Sequence, residues 1–266
     1  MKNYPLKFSI VTVVLNRREF IRRAIENVLE QNYPNFEHII VDGASTDGTL
    51  DIIKSYPHVR WISEPDAGSV YALNKGLRLV QGDVFGWLNS DESYMPGTFH
   101  KVAGYFEKNP SWDLVYGTNR FVNPEGKLLG QTRLHRFSLH LEILGLTAIA
   151  APSAMFMRVK ALDGIGRSAD ERWQHAYDHD LWIRVAKQFK VVGIDECFSS
   201  FTLHSGSGVS SYPAHALTEI QHIRNHHGGN RKLIDRCLWI PYVEIRNKLY
   251  MKLKFSKMVK TWKLEN

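Results

Sequence analysis

FSIVTVVL (Phe8–Leu15) is a short, apolar, β-branched run. Such a run marks a strand buried on both faces, because a strand with one wet face alternates polar and apolar residues. Outward from it, Arg18 to Gln31 carries apolar residues at Phe20, Ile21, Ala24, Ile25, Val28 and Leu29, the spacing of a helix with one dry face. FEHIIVD (Phe36–Asp42) predicts a second strand, and GASTDGT leads into a helix through Leu50, Ile52 and Ile53. VRWIS (Val59–Ser63) predicts a third strand, Ala72–Val80 a helix, and VFGWL (Val84–Leu88) a fourth strand ending in Asn89-Ser90-Asp91-Glu92. Strands alternating with helices imply a doubly wound, parallel sheet.

After Pro96 the pattern is mixed. A helix over Thr98–Lys108 leads to a strand over Leu114–Phe121 and a turn at Asn123-Pro124-Glu125-Gly126, with a hairpin returning through Lys127–Thr132. Ser153–Arg158 reads as a strand, Asp178–Phe189 as a helix and Val191–Ile194 as a strand. Helical spacing then covers Pro213–Gly228 and Ile234–Leu264. The organisation expected is one α/β domain over 1–212, with halves at about 1–96 and 97–212, and a basic helical extension over 213–266.

The 266 residues suffice for one large core. The first residues, MKNYPLKFSIVTVV, lack the pattern of a signal peptide. The weakly polar run Ile143–Met157 is too short to span a bilayer and is broken by Pro152. Two widely spaced cysteines, Cys197 and Cys237, match no metal or redox motif, so a reduced, cytoplasmic setting is expected. The charge of +7 is uneven. From Pro213 onward eleven Lys and Arg face four acids, which accounts for all of it. The first 212 residues are neutral, which removes the electrostatic motive for binding nucleic acid. Ile240–Lys263 interleaves Ile240, Val243, Leu249, Phe255 and Trp262 with basic residues. That pattern fits a helix lying on an anionic membrane, and equally one packed on its own domain with Lys outward.

Ligands of open α/β sheets sit beyond the carboxyl ends of the strands. Thr12, Val14 and Asn16 end the first strand, Asp42 the second and Asn89-Ser90-Asp91-Glu92 the fourth. Asp42-Gly43-Ala44-Ser45 is open to two readings: a carboxylate for the imide of a base, or a plain helix cap. Asp91 and Glu92 would repel one another unless a divalent cation lay between them and a diphosphate. The alternative is a helix start over Ser93–Met95 capped by Asp91. His175/His179 and His222/His226 have zinc-compatible spacing but no third ligand, and read as solvated or structural.

FSIVTVVLN, IIVDGASTDGT, SEPDAGSVYALNKGL, GDVFGWLNSDESYMPG and YDHDLWIRVA, in this order over about residues 7–210, resemble the family 2 glycosyltransferases of the GT-A fold. The resemblance implies a Rossmann-like, mostly parallel sheet flanked by helices. It also implies an inverting enzyme that takes a nucleoside-diphosphate sugar, UDP-linked by preference, and Mn²⁺ or Mg²⁺. By similarity Thr12, Val14 and Asn16 line the nucleotide, Asp42 reads the base, and Asp66, Gly68, Asn74 and Lys75 border ribose and diphosphate. Ser90 and Asp91 also border the nucleotide sugar, and Asp91 matches the last Asp of the metal motif, whose first acid is here Asn89 and whose following Asp is Glu92. Asp91 is the favoured ligand and Glu92 the second, while His204 in FTLHSGSGVS matches a loop that closes over the diphosphate or metal. Asp178 matches the base that deprotonates the acceptor hydroxyl, although the acid before it is Tyr177. Asp180 is expected to point away from Asp178, Trp182 to pack beneath the acceptor site and Arg184 to lie on the helix surface. A glycan or lipid-linked acceptor is implied, in bacterial surface polysaccharide synthesis, at the inner face of the cell membrane. Two rivals remain. A sugar-1-phosphate nucleotidyltransferase would want a Gly-rich, basic loop after the first strand, which LNRREF (Leu15–Phe20) lacks. A non-catalytic sugar-binding relative is raised by Asn89, Tyr177 and Glu92.

Overall fold

A computed structural model of the protein describes residues 5–135, 137–143, 151–204 and 214–229. In chain order the elements are β1 (Phe8–Val14), α1 (Arg18–Leu29), β2 (Phe36–Asp42), α2 (Thr49–Lys54), β3 (Val59–Ser63), α3 (Ser69–Leu79), β4 (Val84–Trp87), β5 (Glu92–Tyr94) and α4 (Thr98–Lys108). They continue with β6 (Leu114–Val122), β7 (Leu128–Gln131), α5 (Leu139–Ile143), β8 (Met155–Arg158), α6 (Val159–Gly164), α7 (Tyr177–Gln188), β9 (Val191–Thr202) and α8 (Ala214–His226). The predicted helix over 234–264, Cys237 and most of the loop after His204 lie outside the described residues.

One sheet runs β3-β2-β1-β4-β8-β6-β9-β5, with β7 beside β6. The first four strands are parallel, as the strand–helix alternation requires. β8 then enters antiparallel to both β4 and β6, and β5 antiparallel to β9, while β6 and β9 run parallel. Parallel order is therefore confined to the first half and the β6–β9 pair. The chain moves from β1 outward to β2 and β3, then returns to place β4 on the other side of β1. Neighbouring strands whose connections leave in opposite directions open a crevice at their carboxyl ends.

Both sheet faces are covered. On one, Val11, Ile39 and Phe85 pack with Leu73 and Leu77 of α3 and Leu181, Trp182 and Val185 of α7. On the other, Phe8, Ile10 and Val84 meet Val28 of α1 and Phe99, Val102 and Phe106 of α4. The dry face of α1 is Ile21, Ala24, Ile25 and Val28, at i, i+3, i+4 and i+7. Gly76 lets α3 lie against the sheet, since a Cβ there would come within 2.5 Å of Val11 Cγ1.

Two features bear on the boundaries read from the sequence. Residues 92–94 form a strand rather than a helix start, because β5 pairs with residues 199–201 of β9. The boundary at 212 also divides what is packed together. α8 buries Ile223 against Ala176 and Ile183, so it belongs to the domain that carries α7.

Candidate active site

The carboxyl ends of β1 and β2 are tied into one turn. Asn16 and Ala44 both adopt left-handed backbone, with φ of 51° and 63°. The Asn16 amide donates to Ser45 Oγ at 2.8 Å, and Asn16 Oδ1 accepts from the Thr46 amide at 2.9 Å. Asp42 is fully buried. Its carboxylate accepts from the Ser45 amide at 3.0 Å, the Ser63 hydroxyl at 2.6 Å and the Ser45 hydroxyl. The expected base reader thus holds the turn together, because Asp and Ser three residues apart satisfy each other locally. The side chains of Thr12 and Val14 are buried towards the α1 face, Thr12 against His38 at 3.0 Å. Burial, with His58 nearby, pushes the His38 imidazole down to about 3.

Asp66 offers what Asp42 does not. Its side chain is 7% exposed, one oxygen accepts from Lys75, and the other, Oδ2, is buried with no hydrogen-bond partner among the described residues. Oδ2 lies 3.7 Å from where a Cβ on Gly43 would be, so the glycine leaves room in front of a carboxylate oxygen. Lys75 also meets Glu64 at 2.6 Å. Burial works against its charge, but the hydrogen bonds to Asp66 and Glu64 hold the ammonium above its ordinary range. Asn74, by contrast, is buried with its amide engaged by Ala169 and Glu171, and so pins the 169–171 loop to α3. Gly68 opens α3 with φ of 152°, and a Cβ there would meet Gln174 Oε1 at 2.8 Å.

β4 ends at Trp87, whose indole N–H donates to Asn89 Oδ1 at 3.0 Å. Ser90 is buried, and Asp91 follows with its Oδ2 3.3 Å from His204 Nε2, each side chain 12% exposed. The pair is assembled by β5 and β9: the Thr202 amide donates to the Asp91 carbonyl, and the His204 ring stacks on Phe20 at 4.3 Å. Glu92 turns the other way. Strand alternation sends it into the protein, where it is 3% exposed and accepts from the Asn89 amide at 3.1 Å. Burial and the neighbouring Asp91 push its carboxyl up to about 8. Asp91 and His204 are thus brought together and Glu92 is not. Among the described residues no cluster of three or more His, Cys, Asp or Glu forms a ready metal cage. One carboxylate and one imidazole suit a cation that arrives with a diphosphate and takes its remaining ligands from phosphate and water.

Opposite this loop stands the start of α7. Tyr177 stacks on Trp87, with ring centroids 5.6 Å apart and 20° between planes, and is hydrogen-bonded to Ser69 in the first turn of α3. The YDHD segment is thereby held against both the end of β4 and the start of α3. Asp178 follows, partly buried. Burial pushes its carboxyl up to about 6, although the amides of His179 and of Asp178 itself hydrogen-bond the ionised form. Asp180 points elsewhere, into Arg184 at 2.8 Å and His227 at 2.7 Å. Arg184 is no plain surface residue, since it also caps the carbonyls of Ile165 and Ser168. Trp182 is buried in the core. His179 faces Glu142 at 3.3 Å, and His226 contacts Arg172 and Trp173.

Sequence reasoning missed Tyr177 as a brace, Phe20 beneath His204, and Glu219 of α8. Glu219 accepts from the amides of Gln174, His175 and Ala176. An aromatic at a strand end before a polar loop was a usable signal for the first. A contact spanning more than forty residues leaves none for the last.

A 3-2-1-4 parallel half, a mixed second half and a crevice between β1 and β4 define the GT-A architecture. Solved structures agree on the fold. TarS 1–349 of S. aureus in complex with UDP-GlcNAc matches with a TM-score of 0.66 at 19% identity, over 85% of this chain and 68% of that one. The mannosyltransferase PcManGT of Pyrobaculum calidifontis, in complex with GDP-Man and Mn²⁺, matches with 0.58 at 14% identity, over 96% and 83%. The model of glycosyl transferase family 2 matches residues 9–166, and the chain belongs to that family. TuaG of Bacillus subtilis (strain 168), assigned to teichuronic acid biosynthesis as a glycosyltransferase, is 36% identical over 214 residues, which cover 78% of this chain and 83% of TuaG. Other relatives are longer. The chain spans 32% of an uncharacterised glycosyltransferase of Rickettsia bellii (28% identical, 80% of this chain) and 20% of a chondroitin synthase of Pasteurella multocida (30% identical, 74% of this chain). No helix among the described residues is long and apolar enough to cross a membrane.

Proposed function

We propose that the chain transfers a sugar from a UDP-sugar to a hydroxyl of a glycan or lipid-linked acceptor, with inversion at the anomeric carbon. The observation that carries this is the Trp87–Tyr177 stack, which joins the end of β4, just before Asn89-Ser90-Asp91, to the first residue of the helix bearing Asp178. A UDP-GlcNAc complex among the structural neighbours and a polysaccharide enzyme among the relatives support the donor and acceptor classes.

In this reading the nucleoside lies over the turn of residues 42–47, where the free Oδ2 of Asp66 accepts from it in front of Gly43. Lys75, held between Asp66 and Glu64, faces the diphosphate. Asp91, with His204 beside it, would hold a divalent cation, which when bound neutralises charge on the departing diphosphate. Asp178 takes the proton of the acceptor hydroxyl as its oxygen bonds the anomeric carbon. The bond to the diphosphate breaks on the opposite face, so the configuration inverts. A carboxyl at about 6 suits this task, being ionised at neutral pH yet more basic than an exposed aspartate. The basic residues of Ile240–Lys263 would attract an anionic membrane surface, where lipid-linked acceptors reside.

The test is to incubate the purified chain with UDP-GlcNAc, other UDP-sugars and Mn²⁺. Release of UDP, slowed ~10²- to 10⁴-fold in Asp178→Asn, is expected. Release of pyrophosphate would instead identify nucleotidyl transfer, and UDP binding without turnover of any donor would identify a sugar-binding relative.

A further inference from the structure

We propose that α8, through Glu219, positions the base Asp178 for the transfer just described. The inference rests on that reading of Asp178 and adds a residue outside the 9–166 match to the family model. The Glu219 carboxylate accepts from three successive amides: Gln174 at 3.1 Å, His175 at 2.8 Å and Ala176 at 3.0 Å. These amides form the turn from which α7 starts, and Asp178 is the second residue of that helix. Three N–H groups converging on one carboxylate make a strong, directional, charge-assisted contact. They also fix the backbone from which the Asp178 side chain departs.

The same helix face grips α7 on the far side of Asp178. Glu219 and Ile223 are spaced i, i+4 on α8, and His227, just past its last turn with its amide donating to the Ile223 carbonyl, continues the same stripe. Ile223 is fully buried against Ala176 and Ile183. His227 accepts from Lys187 Nζ at Nδ1, 2.8 Å away, and so donates from Nε2 to Asp180 at 2.7 Å. Residues 174–176 and Asp180 are thus both anchored to α8, with Asp178 between them, while Trp87 and Ser69 brace Tyr177 from the sheet side. Asp178 itself makes no contact with α8 among the interactions described. α8 sets where the base stands rather than what it is.

A misplacement of about 1 Å can cost on the order of a hundredfold in rate without loss of binding. The expected signature is therefore a split between turnover and donor affinity. In the full chain with UDP-GlcNAc and Mn²⁺, Glu219→Ala should lower kcat for UDP release by ~10- to 100-fold, with KM for UDP-GlcNAc and Kd for UDP within about twofold of the parent. Glu219→Gln keeps one acceptor oxygen but sets an NH₂ against backbone donors, so kcat should recover partly, remaining at least about threefold low. Amide exchange at residues 174–178 should quicken in both variants. In an Asp178→Asn background, Glu219→Ala should cost little more, since both act on one group.

Unchanged kcat in Glu219→Ala, or in Glu219→Gln should the alanine variant not fold, overturns the inference. So does a loss that adds fully to that of Asp178→Asn. If Asp178→Asn retains full turnover, the functional reading itself is wrong, a result told apart from the first because it does not involve Glu219.

Discussion

Asp178 sits where burial costs stability and serves chemistry. A carboxyl raised to about 6 in the folded chain from an ordinary 3.8 binds its proton more tightly folded than unfolded. Its contribution to stability is complete below about 4 and lost as pH rises through about 6. At neutral pH the native state therefore holds an unfavourable charge, worth at most about 3 kcal/mol on the scale of 1.36 kcal/mol per unit. Asp178→Asn should unfold at a higher temperature than the parent at pH 7.5 while losing ~10²- to 10⁴-fold in kcat. The two curves of melting point against pH should converge below pH 4. In the parent, kcat/KM should fall on the acid side with a midpoint near 6. Asp91 and Glu92 separate in a second pair of measurements. Asp91→Asn should raise the Mn²⁺ needed for half-maximal UDP binding more than about tenfold, the cost of a lost charged ligand. Glu92→Gln should leave it within about threefold, because Glu92 faces Asn89 and the protein interior rather than His204.

At the scale of the element, α3 carries Lys75 and, one residue on, the glycine that fits it to the sheet. Gly76→Ala replaces the poorer helix former with the better, a gain of about 1 kcal/mol in an isolated helix. Here it drives a methyl to 2.5 Å from Val11 Cγ1 and 3.4 Å from Val41 Cγ2. Packing should win, for a net loss of ~1–3 kcal/mol in urea unfolding. If Gly76→Ala is as stable as the parent, α3 is free to shift outward and its close seat on Val11 is not needed for stability. Elements of this kind were legible in the sequence because strands buried on both faces are continuous apolar runs, and helices against them keep a 3.6 period. β1, β2 and β4 therefore stand where FSIVTVVL, FEHIIVD and VFGWL place them, and β3 stands where VRWIS does, as an edge strand with Arg60 and Trp61 exposed. β5 was not legible. Three residues beginning with Glu92 carry no strand pattern, and only pairing with Ser199–Phe201 makes them one. β9 was read only to Ile194, since Asp195, Glu196 and Ser199 break its run. It continues to Thr202 because β6 supplies a partner through two register shifts. In the site, the identity of each carboxylate was visible but its partner was not. Asp42 is satisfied by serines three and twenty-one residues away, while Asp66 keeps an oxygen free.

For the whole molecule, charge and packing divide the C-terminal region at a different place from composition. The described part of α8 is held by Glu219, Ile223 and His227 to α7 and carries structural work for the domain. The excess of basic over acidic residues lies almost entirely beyond it, since after residue 229 ten Lys and Arg face three acids. Two shortened chains therefore separate two roles. A chain ending at residue 229 keeps the anchors of α7 and should hydrolyse UDP-GlcNAc at the parental kcat. It should no longer sediment with vesicles containing phosphatidylglycerol, since each Lys or Arg near an anionic surface is worth about 1 kcal/mol and the segment's aromatic and aliphatic residues add buried area. The full chain's sedimentation should weaken as salt rises, because the Debye length shortens to about 3 Å at 1 M. A chain ending at residue 212 removes Glu219 as well and should lose turnover, whatever the vesicle composition. If the 229 chain sediments as strongly as the parent, the basic segment is packed on its own domain and membrane attraction must be sought elsewhere. If the 212 chain turns over donor normally, α8 is a passive cover, and α7 is positioned by Trp87 and Ser69 alone.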